Sequence, residues 1–257
     1  KDYLSPEIDL IIDEMVETKD RNRLKLFLEK WMKHKIDEEL ESLIKLKFIN
    51  NKNSTIRALA YNLYENNGVV KRENVRAILD KLGQNERKVL REAGIKFGRY
   101  HVFLYKLFKP SAVSLRILLW KNFYQKYFDL KPPIFGLNFL DNKKNTDKNF
   151  MLLCGFESFG KIFVRIDILE RLFIIIFNSN KNKPADQKDI KLVPEMLNLL
   201  GCNKEKFIKL LKLMNYKIFE KENNTFFKYT PIRKEKIKNK RSFIDSPFKK
   251  LGQLNIK

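Results

Sequence analysis

Cysteine and histidine are both scarce in this chain of 257 residues, which contains two residues of each type. Cys154 and Cys202 each stand in an apolar context. Two thiols are too few for the disulfide framework of a small secreted domain, and a structural zinc site needs four ligands of these types. The sequence therefore predicts two reduced core cysteines, no metal site and a cytoplasmic location.

Long apolar runs are also missing. The stretch LFIIIF at 172–177 is far shorter than the roughly 20 apolar residues that cross a bilayer. No secretory signal pattern opens the chain, and because it begins with Lys1 rather than Met, we expect a fragment or a processed form. The sequence predicts no membrane partner.

Acidic residues are absent between Glu92 and Asp129, and the whole chain carries a net charge of +22. Residues 94–127 read GIKFGRYHVFLYKLFKPSAVSLRILLWKNFYQKY. Cations beside aromatic rings suit nucleic acid, because the cations neutralise phosphates and the rings stack on bases. The alternative is a strand and a helix that use these rings for a core and leave the lysines solvated. An A/T-rich coding bias would also raise the lysine content, so the placement of the cations counts for more than their number.

Apolar spacing predicts the elements of the first half. Helical patterns fill the first 94 residues, and residues 95–104 favour an extended segment with a bend at Gly98. A helix follows at 110–127, and its predicted buried stripe leaves Arg116 and Lys121 free to meet a partner. The stripe consists of Ala112, Leu115, Leu118, Leu119 and Phe123.

A compact module is predicted beyond a polar loop. A capping box formed by Asp167 and Glu170 begins one helix, a helix-turn-helix follows at 193–214, and a hairpin turns at Asn223 and Asn224. This order is typical of a winged helix. As a recognition helix, the second helix of the pair would bring lysines to phosphates and base edges; as a docking or structural module, it would leave them solvated. These lysines are Lys204, Lys206, Lys209 and Lys212.

The predicted fold class is therefore mainly α, with a helical body followed by a winged-helix-like module. We expect the body at 1–128 with its basic aromatic segment at 94–127, a loop or linker at 129–149, the module at 150–230 and a basic tail at 231–257. The tail contains RKEKIKNKR and predicts a disordered arm that adds nonspecific affinity. No internal repeat of fixed period is visible.

One stretch has the spacing of a phosphate-binding loop, GFESFGK at 155–161. Such a loop needs a following Ser or Thr for magnesium, but Ile162 stands there, and the residues after it favour a strand. Neither His34 nor His101 lies near a nucleophile motif. The sequence predicts a turn at 155–161, no catalytic residues and no cofactor.

Four stretches resemble the C-terminal region of alpha-proteobacterial superfamily 2 (DExH-type) helicases, which are similar to the RNA helicase of the mitochondrial degradosome. They lie at 78–120, 163–172, 199–216 and 245–251, and the most specific is GIKFGRYHVFL with the KP and LRILLW that follow it. The resemblance covers most of the chain from about Leu24 onward.

The resemblance implies a non-catalytic accessory region that follows two RecA-like motor domains of the same parent chain. Those domains would bind ATP and magnesium, and the accessory region would guide the RNA or single-stranded DNA that leaves the motor. We expect a monomer. The alternative is a structural docking module that braces the motor or a partner subunit without contacting nucleic acid.

Charge placement, and not the resemblance, selects the candidate nucleic-acid contacts. Those in the basic aromatic segment are Lys96, Arg99, Tyr100, His101, Lys106, Lys109, Arg116 and Lys121, and the four lysines of the helix-turn-helix form a second set.

Overall fold

A computed structural model describes residues 3–11, 17–49, 53–125, 129–141, 146–180, 189–221 and 224–230. The predicted basic tail at 231–257 lies outside the described residues. The helices are α1 (Thr18–Glu39), α2 (Glu41–Lys47), α3 (Ser54–Glu65), α4 (Arg76–Leu79), α5 (Gln84–Glu92), α6 (Pro110–Tyr124), α7 (Lys148–Leu153), α8 (Ile166–Asn180), α9 (Pro194–Leu200) and α10 (Lys204–Leu213). The strands are β1 (Val69–Lys71), β2 (Ile95–Phe97), β3 (His101–Leu104), β4 (Phe139–Asp141), β5 (Phe156–Phe159), β6 (Ile162–Arg165), β7 (Ile190–Lys191), β8 (Tyr216–Lys221) and β9 (Asn224–Tyr229).

The strands form three antiparallel three-stranded sheets, which we number in chain order. Their strand orders are β1-β3-β2, β4-β6-β5 and β7-β9-β8. The predicted fold class, mainly α with a winged-helix-like module, is wrong, because 54% of the described structure is helical and 17% is strand, in three small antiparallel sheets between Val69 and Tyr229. Several strands span only two or three residues, which is too short for an alternating pattern to show in the sequence.

The same order of elements recurs along the chain. The unit around the first sheet runs in the order α3, β1, α4, α5, β2 and β3. The unit around the third sheet runs in the order α8, β7, α9, α10, β8 and β9. The second sheet follows the same scheme with one short helix, α7, before its hairpin. In each sheet the last strand in sequence lies in the centre. The repetition is therefore one of topology, and it leaves no periodic residue pattern.

Capping residues fix several helix starts. The side chains of Asn53, Asp147 and Asn203 accept hydrogen bonds from backbone amides in the first turns of α3, α7 and α10. Pro110 begins α6, where a missing amide hydrogen costs nothing. Gly201 ends α9 with a φ of 67°, a left-handed conformation that glycine adopts without strain.

Helix α6 lies between two cores. Ala112 and Leu119 pack with the first sheet and the early helices, whereas Val113 and Ile117 pack with α7 and the second sheet. A helix buried on two sides is apolar nearly all round, so its pattern does not reveal which face is exposed. Part of the predicted stripe is wrong for this reason, since Leu118 and Phe123 are exposed. No helix in the described ranges combines the length and apolar character needed to cross a bilayer.

The first sheet is covered on both faces. Val102 and Leu104 point into the first core, while Phe103 packs with Ile166 at the start of α8. His101 shares the face of Phe103, because side chains alternate along a strand. This second face therefore meets the second sheet and α8, and all four residues of β3 are buried.

Candidate functional site

A cleft of about 1270 Å³ opens between the first sheet on one side and α8 with the third sheet on the other. Its walls come from β2, the β2–β3 turn, the outer face of α8, and strands β8 and β9. Among the described residues, the carboxylates that line it are those of Asp167 and Glu170. The cations that line it are Arg91, Lys96, Arg99, Arg165, Arg171 and Lys228. Its charge is therefore strongly positive.

Both carboxylates are engaged inside the protein. Asp167 accepts hydrogen bonds from Nε and Nη2 of Arg165 at 2.7 and 2.6 Å. Glu170 accepts hydrogen bonds from the β2–β3 turn. The predicted capping box is therefore wrong, because Glu170 reaches across to the first sheet instead of back along α8. Partners within the protein compensate much of the negative charge of both side chains.

Strand alternation brings Lys96 to the cleft. Its neighbours Ile95 and Phe97 pack into the first core, whereas Lys96 lies opposite Phe103 in the ladder and its side chain is exposed. Arg91, in the last turn of α5, lies over the ring of Phe97 at 5.8 Å. The cleft therefore collects cations from a helix and a strand that adjoin in sequence.

Aromatic rings from two sheets meet in the cleft. The ring of Tyr100 lies 4.4 Å from that of Phe173 on α8, and the ring of Tyr216 lies 5.3 Å from that of Tyr229. Burial raises the pKa of Tyr100, with neighbouring Tyr229 raising it further and Arg99 opposing the shift. The first and third sheets therefore face each other through tyrosines, and the hydroxyl of Tyr100 stays protonated at neutral pH.

Several apolar side chains of the lining are exposed. Ile174 and Phe177 follow Glu170 on one face of α8, and Phe177 is 64% exposed. Tyr105 and Tyr229 are exposed as well. Exposed rings beside cations offer a platform for flat, unpaired bases.

The β2–β3 turn is held by a buried charged cluster. The amides of Arg99, Tyr100 and His101 donate to the carboxylate of Glu170, at 2.9 Å for the latter two. His101, only 2% exposed, has its Nδ1 3.2 Å from Glu170 and its Nε2 2.9 Å from Glu157 on β5. The cluster thus joins the first sheet, the second sheet and α8.

The surroundings of His101 favour its protonated form. Burial alone would lower the pKa of His101, but hydrogen bonds and charges of Glu157 and Glu170 outweigh it and raise the pKa above 6.5. Burial likewise opposes ionisation of Glu157, yet hydrogen bonds from His101 and Lys71 lower its pKa below 4.5. Lys71 Nζ lies 2.8 Å from Glu157 Oε1. With His101 protonated, two cations and two carboxylates balance in the cluster.

The structure brings Lys96, Arg99 and Tyr100 together at the cleft but buries two other candidates. His101 belongs to the charged cluster, so the expectation that it meets a strand is wrong. Arg116 is 0% exposed and donates to the carbonyls of Asn67 at 2.7 Å and Leu107 at 2.9 Å. The expectation that Arg116 is free to meet a partner is also wrong, because α6 is buried on both sides.

The remaining candidates of the basic aromatic segment lie outside the cleft lining. Lys121 is half-buried, donates to the carbonyl of Leu130 and lies 5.5 Å from the ring centre of Phe150, so it is not free. Lys106 pairs with Glu41 at 3.1 Å. Lys109 is exposed and precedes α6.

The lysines of α10 form a separate exposed row. Lys204, Lys206, Lys209 and Lys212 are exposed and none lines the cleft. Lys209 lies 3.8 Å from Asp141 of β4. The two predicted sets of contacts therefore do not merge into one surface.

The stretch at 155–161 does not form a phosphate-binding loop. Gly155 follows α7 with a φ of 89°, residues 156–159 are β5, and Gly160 and Lys161 turn into β6. The backbone of β5 is occupied by the ladder with β6. In the described ranges, no group of three or more His, Cys, Asp or Glu could hold a metal ion.

Sequence reasoning missed the residues that shape the cleft. Arg171 and Lys228 lie outside the basic aromatic segment, and Glu157 and Glu170 contact His101 across separations of 56 and 69 residues. One weak signal was present: each acid directly follows an apolar residue, Phe156 or Leu169, and a buried carboxylate needs a partner. No protein-family model, curated protein or solved structure matches the chain.

Proposed function

We propose that this chain binds single-stranded nucleic acid in the cleft, without catalysis. One observation carries the proposal: the cleft places exposed cations next to exposed aromatic rings. Lys96, Arg99 and Arg171 are exposed in the lining, and so are Tyr105 and Tyr229. Cations that neutralise phosphates and rings that stack on bases are the two parts of a sequence-tolerant strand site.

Unpaired bases fit this lining better than a duplex does. A duplex keeps its bases stacked on each other, so the rings of Phe177 and Tyr229 would gain no partner from it. A single strand offers a free base face at each nucleotide. We therefore expect a single strand to bind more tightly than a duplex of the same sequence at equal salt.

The test is fluorescence anisotropy with a labelled 20-nucleotide strand, RNA or DNA, over a salt series. The variant replaces Lys96, Arg99 and Arg171 with Gln. Because each phosphate contact contributes about 0.7 to the slope of log K against log salt, the triple variant should lower the magnitude of this slope by about 2. Its affinity should fall at least tenfold.

A matched control replaces Lys204, Lys206 and Lys212 with Gln. It removes the same charge from exposed lysines outside the cleft and leaves the basic tail unchanged. We expect it to retain most of the affinity. Equal losses in the two variants would mean that net charge alone attracts the strand, and would overturn the assignment to the cleft.

The resemblance to helicase C-terminal regions supplies a context for this binding. We propose that the chain is an accessory region that receives the strand leaving RecA-like motor domains of its parent chain, in the cytoplasm and as a monomer. An aromatic, basic cleft would hold the strand between steps of the motor, while ATP and magnesium would bind the motor domains alone. Motor domains fused to this chain should then unwind a longer stretch per binding event than the motor domains alone. The cleft triple variant should abolish that gain.

A second candidate function is docking, favoured by the exposed face of α1. Leu24, Phe27 and Trp31 recur at helical spacing, and Trp31 is 53% exposed. We propose the motor domains as the occupant. Changing Phe27 and Trp31 to Ser should abolish association with separately purified motor domains and leave strand affinity and stability unchanged. Undiminished association would contradict docking through α1.

A further inference from the structure

The cleft wall that carries Arg99 and Tyr100 is shaped around one buried carboxylate. Three consecutive amides, those of Arg99, Tyr100 and His101, donate to Glu170. A Cβ at Gly98 would overlap the carboxyl group of Glu170. The backbone of the turn therefore follows the shape of this side chain, and only an acceptor with two oxygens satisfies all three donors.

We propose that Glu170 is the positioning residue of the cleft, which holds the β2–β3 turn against α8 so that Arg99 and Tyr100 meet a bound strand in a fixed geometry. The inference rests on the proposed function. Its second support is aromatic: the ring of Tyr100 lies 4.4 Å from Phe173, which is three residues beyond Glu170 on α8. The turn is thus attached to α8 by its backbone and by a side chain.

The cluster behind the turn makes this arrangement sensitive to one proton. Each ring nitrogen of His101 faces a carboxylate oxygen, and only the protonated ring can donate to both carboxylates at once. The charged groups that face His101 are Glu157 from β5 and Glu170 from α8, and Lys71 from β1 contacts Glu157. Removing the proton turns one nitrogen lone pair toward a carboxylate, which loosens the attachment of the turn. Strand affinity should therefore fall as the pH rises through the pKa of His101.

The decisive variant is Glu170→Gln, because the loss of a negative charge and the loss of a positioning contact predict opposite changes in strand affinity. Removing a negative charge from a cleft that binds phosphates should tighten binding. If Glu170 positions the turn, binding should weaken about tenfold, because the amide nitrogen of Gln would face the donors of the turn. The control is Asp167→Asn, which removes the same charge from the same lining, frees Arg165 and should bind as tightly as the wild type or more tightly.

The outcomes separate the two proposals. If the wild type binds the labelled 20-nucleotide strand and Glu170→Gln binds it equally or more tightly, the positioning role is overturned and the proposed function stands. If the wild type does not bind, both are overturned. A tenfold loss in Glu170→Gln with no loss in Asp167→Asn supports the positioning role.

If Glu170→Gln fails to fold, a second measurement tests the positioning role instead. With only two histidines in the chain, NMR of the wild type and of His34→Gln assigns the ring signals of His101 and gives its pKa. The wild-type strand affinity should then fall with a midpoint at that pKa, and His34→Gln should show the same profile. An affinity that does not change across this pH range overturns the inference.

Discussion

Arg116 is a buried cation that stabilises the core. Its guanidinium joins two backbone carbonyls, of Asn67 at the end of α3 and of Leu107 before α6, and its burial lowers its pKa to about 10, so it stays charged at neutral pH. Replacing it with Gln should lower the free energy of unfolding by about 3 kcal/mol, because two buried carbonyls lose a charged donor. Urea unfolding measures the loss.

The matched variant for Arg116→Gln is Arg171→Gln. Arg171 is exposed in the cleft lining, so its replacement should lower strand affinity and leave unfolding unchanged. Arg116→Gln should lower the free energy of unfolding and leave strand affinity unchanged, when affinity is measured at a temperature at which the variant is folded. Identical effects of the two substitutions would contradict the separation between a core cation and a cleft cation.

The buried cluster gives stability a pH optimum. The pKa of His101 is raised above 6.5 in the folded protein, so its contribution is complete below pH 6.5 and is lost as the pH rises through the folded-state pKa. The pKa of Glu157 is lowered below 4.5, so its contribution is complete above pH 4.5 and is lost as the pH falls through that lowered pKa. Thermal unfolding between pH 3 and 10 should therefore show a plateau with a decline on each side.

Substitution of His101 tests whether this residue causes the loss of stability at alkaline pH. His101→Gln should cost about 3 kcal/mol near neutral pH, as expected when one partner of a buried charge network is removed. It should also remove the alkaline decline that the wild type shows. His34→Gln is the control and should keep it. A decline that persists in His101→Gln would show that another group causes it.

At the scale of elements, the β2–β3 hairpin was predictable and its attachment was not. The bend at Gly98 and the extended residues around it follow from local propensity. The contact with Glu170 joins residues about 70 positions apart, and the same acid fitted a local capping pattern equally well. For helix α6, Pro110 predicts where the helix starts. Because the helix is apolar nearly all round, however, its pattern does not indicate that Arg116 is buried.

Gly98 tests the fit between the hairpin and α8. Its backbone does not require glycine, because its φ is outside the left-handed region, so the cost of Gly98→Ala comes from overlap with Glu170. We expect a loss of about 2 kcal/mol in the free energy of unfolding and weaker strand binding. Urea unfolding and anisotropy measure the two effects.

Gly94→Ala is the control for that prediction. Gly94 has a φ of 90°, and a Cβ added there would meet nothing within 4 Å, so alanine should cost about 1 kcal/mol in backbone strain. Strand affinity should not change. If Gly98→Ala were no more harmful than Gly94→Ala, the close fit of the turn to Glu170 would be unimportant.

At the scale of the whole molecule, three sheets of one topology share their cores. Helix α6 packs into two cores, and Ile166 of α8 packs against the first sheet. The sequence shows no periodic repeat because topology can recur while the residues that fill each core differ. The sequence predicted cations beside rings, but which cations share a cleft depends on how the sheets meet.

Shared cores predict cooperative unfolding. Urea transitions followed by tryptophan fluorescence and by far-ultraviolet circular dichroism should coincide, since Trp31 and Trp120 report on α1 and α6 while circular dichroism reports on all elements. Two separate transitions would contradict the shared cores.

The position of the strand itself is the most direct test of the cleft. A single strand with 4-thiouridine at several positions, bound to the full chain and irradiated, marks the residues that its bases touch. If the strand lies in the cleft, cross-links should appear in peptides that contain Tyr100, Tyr105 and Tyr229, and they should be lost when Lys96, Arg99 and Arg171 are replaced with Gln. Cross-links confined to α10 or to residues 231–257, and unchanged in that variant, would contradict it.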